Sequence, residues 1–282
     1  DLILENDYIK VEVSKFDKDG TTYLPGAKLA LYERSEFNDD LTLKDNATPY
    51  LTWTTDLMSY PVYRIPAGEY LLVEIASPLG YIKVNPKLIT VLETTEVQSV
   101  SITNDFTKVQ ISKKDITTGN ELPGADLMIY DYETWNRISE NESVNAAPLY
   151  SWTSSATPYY IEKLPVGKYV LVETSAPAGY VKSEAVEFEI LETGDIQSVT
   201  MYNDITTASF FKVDAETNDT IDGAEFEIYA IDSNNNPVTK MYSWTSTDSE
   251  YTITKIPVGK YVLFETKAPN GYVTAEPLYF EI

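Results

Sequence analysis

Three kinds of side chain that can react with one another recur at fixed spacings along this chain: lysine, glutamate and asparagine. Each glutamate lies inside an apolar segment that occurs three times, and the three are Glu74, Glu173 and Glu265. An asparagine precedes a lysine by nine residues in the pairs Asn6 and Lys15, Asn104 and Lys113, and Asn203 and Lys212. These are the parts of a self-made covalent cross-link, so the spacing favours a structural chain over an enzyme that acts on something else.

The chemistry depends on burial. A buried lysine loses its charge more easily and a buried glutamate keeps its proton, with pKa shifts of roughly 3–5 units for full burial. The neutral amine is a nucleophile, while the protonated glutamate can hydrogen-bond the asparagine carboxamide oxygen, polarise the carbonyl and pass protons to departing ammonia. The product is an amide between lysine Nζ and asparagine Cγ. Fixed geometry can lower the barrier by about 7–11 kcal/mol.

Period-two alternation brings the lysine and the asparagine to the core side of their strands. Val13 and Lys15 share one side of the first strand of a repeat, and Ile102 and Asn104 share one side of the last strand. Any one of these residues alone is more often a surface residue or a strand-end cap. Their recurrence together on core-facing rows favours the cross-link.

Many short strands separated by Pro and Gly make up each repeat. Turns such as Leu24–Ala27 suit type II geometry, because Pro presets its φ angle and Gly accepts a positive one. No segment has a helix start and stop that predicts a helix. The pattern therefore predicts an all-β sandwich.

The repeat spacing predicts a string of domains. Glu74 and Glu173 are 99 residues apart, which is ample for one self-sufficient core. The predicted domains are residues 8–106, 107–205 and 206–282, with 1–7 as the final strand of a preceding repeat and the third repeat lacking its last strand. The chain thus reads as an excerpt of a longer protein. Because the connections between repeats are only a few residues long, we expect a fairly stiff rod.

Composition excludes several classes of function. With 21 Lys and Arg against 44 Asp and Glu, the net charge is −23, which argues against partners such as nucleic acid or an anionic membrane surface. The chain has no cysteine and no histidine. Disulfides, zinc–thiolate sites and the usual hydrolytic triad are therefore excluded, and we predict no metal site and no cofactor.

Two motifs resemble those of CnaB-type domains, the prealbumin-like repeats of Gram-positive pilins and surface adhesins. One is Lys-x-Asp after an alternating strand, at residues 15–17, 113–115 and 212–214. The other is the block Glu-Thr-x-Ala-Pro-x-Gly-Tyr, found at 173–180, at 265–272 and, with Ile75 and Ser77 as departures, at 74–81. The resemblance covers almost the whole chain.

The resemblance implies tandem Greek-key β-sandwiches of the prealbumin-like, or reverse immunoglobulin-like, type. It also implies intramolecular isopeptide bonds that join first and last strands. Lys15 would pair with Asn104 with the help of Glu74, and Lys113 with Asn203 with the help of Glu173. Lys212 and Glu265 would await an asparagine beyond residue 282.

A structural stalk or spacer of a Gram-positive surface adhesin or pilus is the predicted function, outside the cell or in its wall, with neighbouring repeats as partners. The alternative is an adhesive module for a host or matrix ligand. Its candidate surface is the loop at residues 132–147 with Trp135, the only Trp outside the repeated Trp position. A further hypothesis is head-to-tail self-association, in which Asn6 of one molecule couples to Lys212 of another.

Overall fold

A computed structural model describes residues 3–140 and 146–282. The chain divides into two compact units. The first contains Asp1–Gln110, Tyr160–Tyr169 and Phe188–Val199, and the second contains Ile111–Tyr159, Val170–Glu187 and Thr200–Ile282.

The first repeat is a sandwich of a three-stranded and a four-stranded sheet, ordered β4-β1-β7 and β3-β2-β5-β6. Its strands are β1 (Lys10–Asp17), β2 (Lys28–Glu33), β3 (Leu51–Thr54), β4 (Tyr60–Tyr63), β5 (Gly68–Ala76), β6 (Lys87–Val91) and β7 (Val97–Asn104). The core between the sheets contains Val11 and Val13 from one sheet and Leu29, Leu31 and Leu72 from the other. The alternation read from the sequence thus becomes one inward and one outward face.

The same two sheet orders recur in the second repeat, as β11-β8-β14 and β10-β9-β12-β13. The strands are β8 (Lys108–Asp115), β9 (Asp126–Asp131), β10 (Tyr150–Thr153), β11 (Tyr159–Glu162), β12 (Gly167–Ser175), β13 (Val186–Ile190) and β14 (Ile196–Asn203).

The third repeat has a two-stranded sheet, β15-β18, and a four-stranded sheet, β17-β16-β19-β20. The strands are β15 (Thr207–Phe210), β16 (Glu225–Ile231), β17 (Pro237–Thr245), β18 (Tyr251–Thr254), β19 (Lys260–Lys267) and β20 (Leu278–Glu281). Strand β15 has four residues where β1 and β8 have eight. Lys212 therefore lies just beyond a strand, whereas the sequence predicted it within one.

Tandem β-sandwiches of this kind confirm the predicted fold class. The prediction that the chain has no helix was wrong at two places. Arg34–Glu36 forms a 3-10 helix, and Tyr132–Glu140 forms the helix α1. Asp131 caps α1, since its Oδ1 accepts the backbone N–H of Thr134 at 2.8 Å. An Asp at the N-cap followed by an acidic residue, Glu133, in the first turn is the start signal that the sequence reading passed over.

Recurrent side chains outside the reactive positions are structural. The tryptophans at the repeated position stack on a tyrosine seven residues later, with ring centroids 4.9, 4.4 and 4.5 Å apart. These pairs are Trp53–Tyr60, Trp152–Tyr159 and Trp244–Tyr251. Gly26 has φ +88°, as the type II turn requires.

Candidate cross-linking sites

Lys15, Glu74 and Asn104 meet in the core of the first repeat. Lys15 Nζ donates a hydrogen bond to Asn104 Oδ1, and Asn104 Nδ2 donates to Glu74 Oε1 at 2.8 Å. The amine and the carboxylate are 3.5 Å apart. The three residues are 2%, 1% and 0% exposed, respectively. Three polar side chains therefore contact one another in a site closed to solvent.

Strand geometry explains why they meet. Strands β1 and β7 are parallel neighbours, so the first and last strands of the repeat lie side by side. Lys15 follows Val13 on the inward face of β1, and Asn104 follows Ile102 on that of β7. Glu74 reaches the same core from β5 of the opposite sheet. The amine and the amide thus come from one sheet and the acid from the other.

Burial shapes the electrostatics of this site. Desolvation lowers the pKa of Lys15 from its usual 10.5, and the nearby charge of Glu74 only partly opposes the shift. Because the pKa falls, a larger fraction of the amine is neutral at a given pH. A neutral amine held against a carboxamide is arranged as a nucleophile.

The orientation of the asparagine differs from the predicted one. Glu74 faces the carboxamide nitrogen of Asn104, whereas the sequence argument had the acid hydrogen-bonded to the carboxamide oxygen. The reason is that Lys15 takes the oxygen side. A second oxygen of Glu74 accepts the backbone N–H of Val84 at 2.8 Å, which fixes the carboxylate. Placed this way, the acid can deliver a proton to the nitrogen that must leave as ammonia.

The second repeat brings together Lys113, Glu173 and Asn203. Lys113 Nζ is 3.4 Å from Glu173 Oε1, and Asn203 Nδ2 donates to the same oxygen at 2.9 Å. Lys113 is 2% exposed, and burial lowers its pKa against the opposing charge of Glu173. A fourth residue takes part here: Ser183 Oγ lies 2.9 Å from Lys113 Nζ and 2.6 Å from Asn203 Oδ1.

The third repeat pairs Lys212 with Glu265, 3.6 Å apart. The lysine side chain is 16% exposed. Glu265 Oε2 accepts the backbone N–H of Ala275 at 2.6 Å, but its Oε1 is buried without a hydrogen-bond partner among the described residues. Both side chains line a cavity of about 220 Å³ together with Phe210 and Trp244.

Two other predicted residues take no part in these clusters. Asn6 is exposed and lies outside the strands, so its coupling to Lys212 of another molecule stays a prediction, as does the role of residues 1–7. Residues 1 and 2 lie outside the described part of the chain. Trp135 is half-buried on α1, with its ring 5.7 Å from that of Tyr130. Residues 141–145 of the proposed binding loop are also outside the described part.

The sequence reading missed a second recurrent feature, which we call the lysine joint. In the first unit, Lys163 Nζ lies 2.8 Å from Asp17 Oδ2 and 4.7 Å from the ring centroid of Tyr81. Tyr81 donates its hydroxyl proton to the same aspartate oxygen at 2.7 Å. A Cβ on Gly80 would collide with the Lys163 backbone, so the joint requires glycine there.

The second unit contains the same joint. Lys255 Nζ lies 2.6 Å from Tyr180 Oη and 3.4 Å from Asp115 Oδ2. A Cβ on Gly179 would lie 2.7 Å from the Lys255 carbonyl oxygen. The aspartates of both joints are the last residues of the Lys-x-Asp motif, and the tyrosines end the Gly-Tyr block. Those two motifs were the signal that the sequence offered for the joints. In both joints the lysine that contacts the motifs has a positive φ angle.

The family follows from the sequence as a whole. The chain belongs to the SpaA prealbumin-like fold domain family, whose model matches residues 9–105, 107–205 and 206–282. No curated protein matches the chain. Among residues 3–140 and 146–282, no helix is long and apolar enough to cross a membrane.

Several solved structures are similar to this chain. The Bacillus anthracis TIE protein shares 25% identity over 98% of this chain, with a TM-score of 0.45, and the chain spans 49% of its length. A streptococcal ancillary pilin shares 20% identity, covers 98% of this chain and 95% of its own, and has a TM-score of 0.45. The shaft pilin SpaA of Lactobacillus rhamnosus GG shares 17% identity over 71% of this chain and 98% of its own, with a TM-score of 0.35.

Proposed function

We propose that this chain is a structural spacer of a Gram-positive surface protein or pilus, stiffened by self-made Lys–Asn isopeptide bonds. The observation that carries the proposal is the buried contact of Lys15, Glu74 and Asn104, which recurs with Lys113, Glu173 and Asn203. Such triads are expensive to bury as unreacted polar groups. A covalent amide removes the amine charge and leaves a neutral, hydrogen-bonded product.

The reaction balances within the protein. The Lys15 amine attacks Asn104 Cγ, a C–N bond forms, and the Asn104 nitrogen departs as ammonia after taking a proton that originates on the amine. Glu74 lies 3.5 Å from the amine and 2.8 Å from the leaving nitrogen, so it can receive the proton from one and give it to the other. The domain is both catalyst and substrate, and it turns over once.

Force transmission is the function that this bond would serve. Lys15 and Asn104 are 89 residues apart in sequence but lie on adjacent first and last strands. Tension that enters on one strand would leave on the other through the amide, without loading the residues between them. By analogy with a disulfide that closes a loop of this size, the cross-link would lower the entropy of the unfolded state. This would raise the free energy of unfolding by about 4–5 kcal/mol.

The lysine joints support a spacer role as well. Each combines a cation, a tyrosine ring and an aspartate at close range. In the first unit, the backbone N–H of Thr107 donates a hydrogen bond to the Gly80 carbonyl, and the Thr107 carbonyl accepts one from the backbone N–H of Lys163. Such a connection resists bending better than a flexible linker would. We infer that neighbouring repeats are the main partners.

The third repeat has two of the three components of such a cluster, the lysine and the glutamate. Lys212 and Glu265 already stand at the distance seen in the other two clusters. An asparagine on a further strand beside β15 would give Glu265 Oε1 its hydrogen-bond donor. We therefore propose that Lys212 is the nucleophile of a third isopeptide bond when such a strand is present.

The mass of the intact, denatured chain tests the proposal. Each bond releases ammonia and lowers the mass by about 17 Da, so two bonds lower it by about 34 Da. Peptide mapping should then find the two branched peptides, Lys15–Asn104 and Lys113–Asn203. The unmodified mass would refute the cross-linked spacer.

A further inference from the structure

One hydroxyl distinguishes the second cluster from the other two. The residue ten positions after the glutamate donates its backbone N–H to that glutamate in every repeat, and it is Val84, Ser183 or Ala275. Only at Ser183 does this position carry a polar side chain. Its backbone N–H lies 2.6 Å from Glu173 Oε2, so the serine is held against the acid before its hydroxyl makes any contact.

The hydroxyl lies between the two reacting groups. Ser183 Oγ accepts a hydrogen bond from Lys113 Nζ at 2.9 Å and donates to Asn203 Oδ1 at 2.6 Å. The backbone carbonyl of Tyr202 is a second acceptor for the same proton. The only proton of the hydroxyl must therefore be shared between Asn203 Oδ1 and the Tyr202 carbonyl.

Negative charge develops on one of these acceptors during the reaction. When an amine attacks Asn203 Cγ, the carbonyl becomes tetrahedral and Oδ1 becomes an oxyanion. A charged acceptor forms a stronger hydrogen bond than a neutral carbonyl does, so the hydroxyl proton will favour Oδ1 over Tyr202 at that moment. A hydrogen-bond donor that is already held against a developing oxyanion is a recognised source of rate acceleration.

We propose that Ser183 is a catalytic residue of the second cross-link, where it stabilises the oxyanion on Asn203 and orients the Lys113 amine. This inference rests on the proposed function. The N–C bond forms between Lys113 and Asn203, the Asn203 nitrogen leaves as ammonia with a proton carried by Glu173, and Ser183 is regenerated unchanged. In the first repeat, Val84 offers no hydroxyl, and Lys15 itself is the donor to Asn104 Oδ1.

The test is the rate of each cross-link within the same molecules. The full chain is made by cell-free synthesis, quenched in acid at intervals and digested, and the branched peptides Lys113–Asn203 and Lys15–Asn104 are quantified. The Lys15–Asn104 bond serves as an internal clock. Loss of one oxyanion donor costs about 10²–10³ in rate in a protease, so we expect S183A and S183V to slow the Lys113–Asn203 bond at least about tenfold, with the clock unchanged.

Two further variants sharpen the result. S183T keeps a hydroxyl and should restore most of the rate, which a purely steric role for the side chain would not predict. A275S adds a hydroxyl at the matching position of the third repeat and should leave both rates unchanged.

An S183A chain that forms the Lys113–Asn203 bond at the wild-type rate, or faster, overturns the role of Ser183 alone. A wild-type chain that forms neither bond overturns the proposed function instead. A wild-type chain that forms only the Lys15–Asn104 bond also overturns the role of Ser183, because the hydroxyl would then not promote the reaction.

Discussion

The clusters of the first and third repeats share an acid and an amine but differ in what surrounds them. Glu74 Oε1 accepts a hydrogen bond from Asn104, whereas Glu265 Oε1 is buried without a partner among the described residues. The Lys15 side chain is 1% exposed and that of Lys212 is 16% exposed. The difference lies in strand β7, which pairs in parallel with β1, whereas β15 has β18 as its only partner strand among the described residues.

The separation between the acid and the amine is nearly the same in all three clusters. The amine-to-carboxylate distances are 3.5, 3.4 and 3.6 Å in the three repeats. The acid and the amine therefore reach the same separation whether or not an asparagine lies beside them. In the first repeat the last strand, β7, contributes Asn104, and Lys15 beside it is less exposed than Lys212. The lysine–glutamate pair therefore forms without an asparagine in contact, and in the third repeat the described residues lack the carboxamide that the proposed reaction requires.

Removing the acid should have the largest effect. E74Q keeps the shape of the side chain but cannot carry protons between the amine and the leaving nitrogen, so the Lys15–Asn104 bond should not form. We expect the mass deficit to fall from about 34 to about 17 Da. The free energy of unfolding of the first repeat should fall by about 4–5 kcal/mol with the loss of loop closure. Intact mass and denaturant unfolding measure the two effects.

E265Q is the matched control for that experiment. It makes the same chemical change at a cluster where no asparagine among the described residues is in contact, so the mass deficit should stay at about 34 Da. If E265Q and E74Q changed the mass deficit equally, the contrast between the two clusters would be lost.

The second-largest expected effect is on amine labelling, which should distinguish the third cluster from the first two. In the unfolded, cross-linked chain, Lys15 and Lys113 are already amides and should resist an acetylating reagent, whereas Lys212 should react fully. The native chain should give a weaker contrast, because the Lys212 side chain is only 16% exposed. Peptide mass spectrometry after labelling in denaturant reads the extent at each lysine. Complete acetylation of Lys15 in denaturant would contradict the cross-link.

The smallest expected effect is on the acid dependence of stability, and it arises at the lysine joints. The Tyr180 hydroxyl, with backbone donors and Lys255, lowers the pKa of Asp115 from 3.8 to about 2. A depressed folded-state pKa stabilises the fold above pH 3.8, and this contribution is lost as the pH falls toward 2. D115N should therefore flatten the loss of stability between about pH 4 and 2.

The third repeat again provides the comparison for this prediction. Backbone donors and Tyr272 also lower the pKa of Asp214, with a smaller contribution from the charge of Lys212, but no lysine among the described residues forms a hydrogen bond or ion pair with its carboxylate. D214N should change the acid limb of the stability curve less than D115N does. Thermal unfolding across the pH range measures both, and an equal response of the two variants would count against a role for Lys255.

Much of this architecture could be predicted from the sequence. Period-two alternation decides which face of a strand is buried, so Lys15 and Asn104 could be assigned to the core from Val13 and Ile102. Turn chemistry marked the strand ends. The fold class followed from strand number and spacing, and the acid in β5 was visible because a glutamate inside an apolar strand is rare.

Other features depend on contacts that periodicity does not encode. Ser183 lies in an irregular segment between β12 and β13, where alternation gives no facing. The orientation of the Asn104 amide depends on which neighbour takes its oxygen. The lysine joints involve residues far apart in sequence, such as Asp17 and Lys163, separated by 146 positions. Helix α1 was missed because its capping aspartate belongs to the end of a strand.

Strand adjacency in the first repeat has one more consequence, which concerns proteolysis. The segment between β2 and β3 is largely exposed from residue 38 to residue 50, and exposed loops are where proteases cut. If Lys15 is joined to Asn104 as proposed, residues 15–104 form a closed ring. A single cut in that segment opens the ring but releases nothing, and both fragments stay covalently attached. A surface protein built this way would remain in one piece after a nick that would sever an ordinary chain.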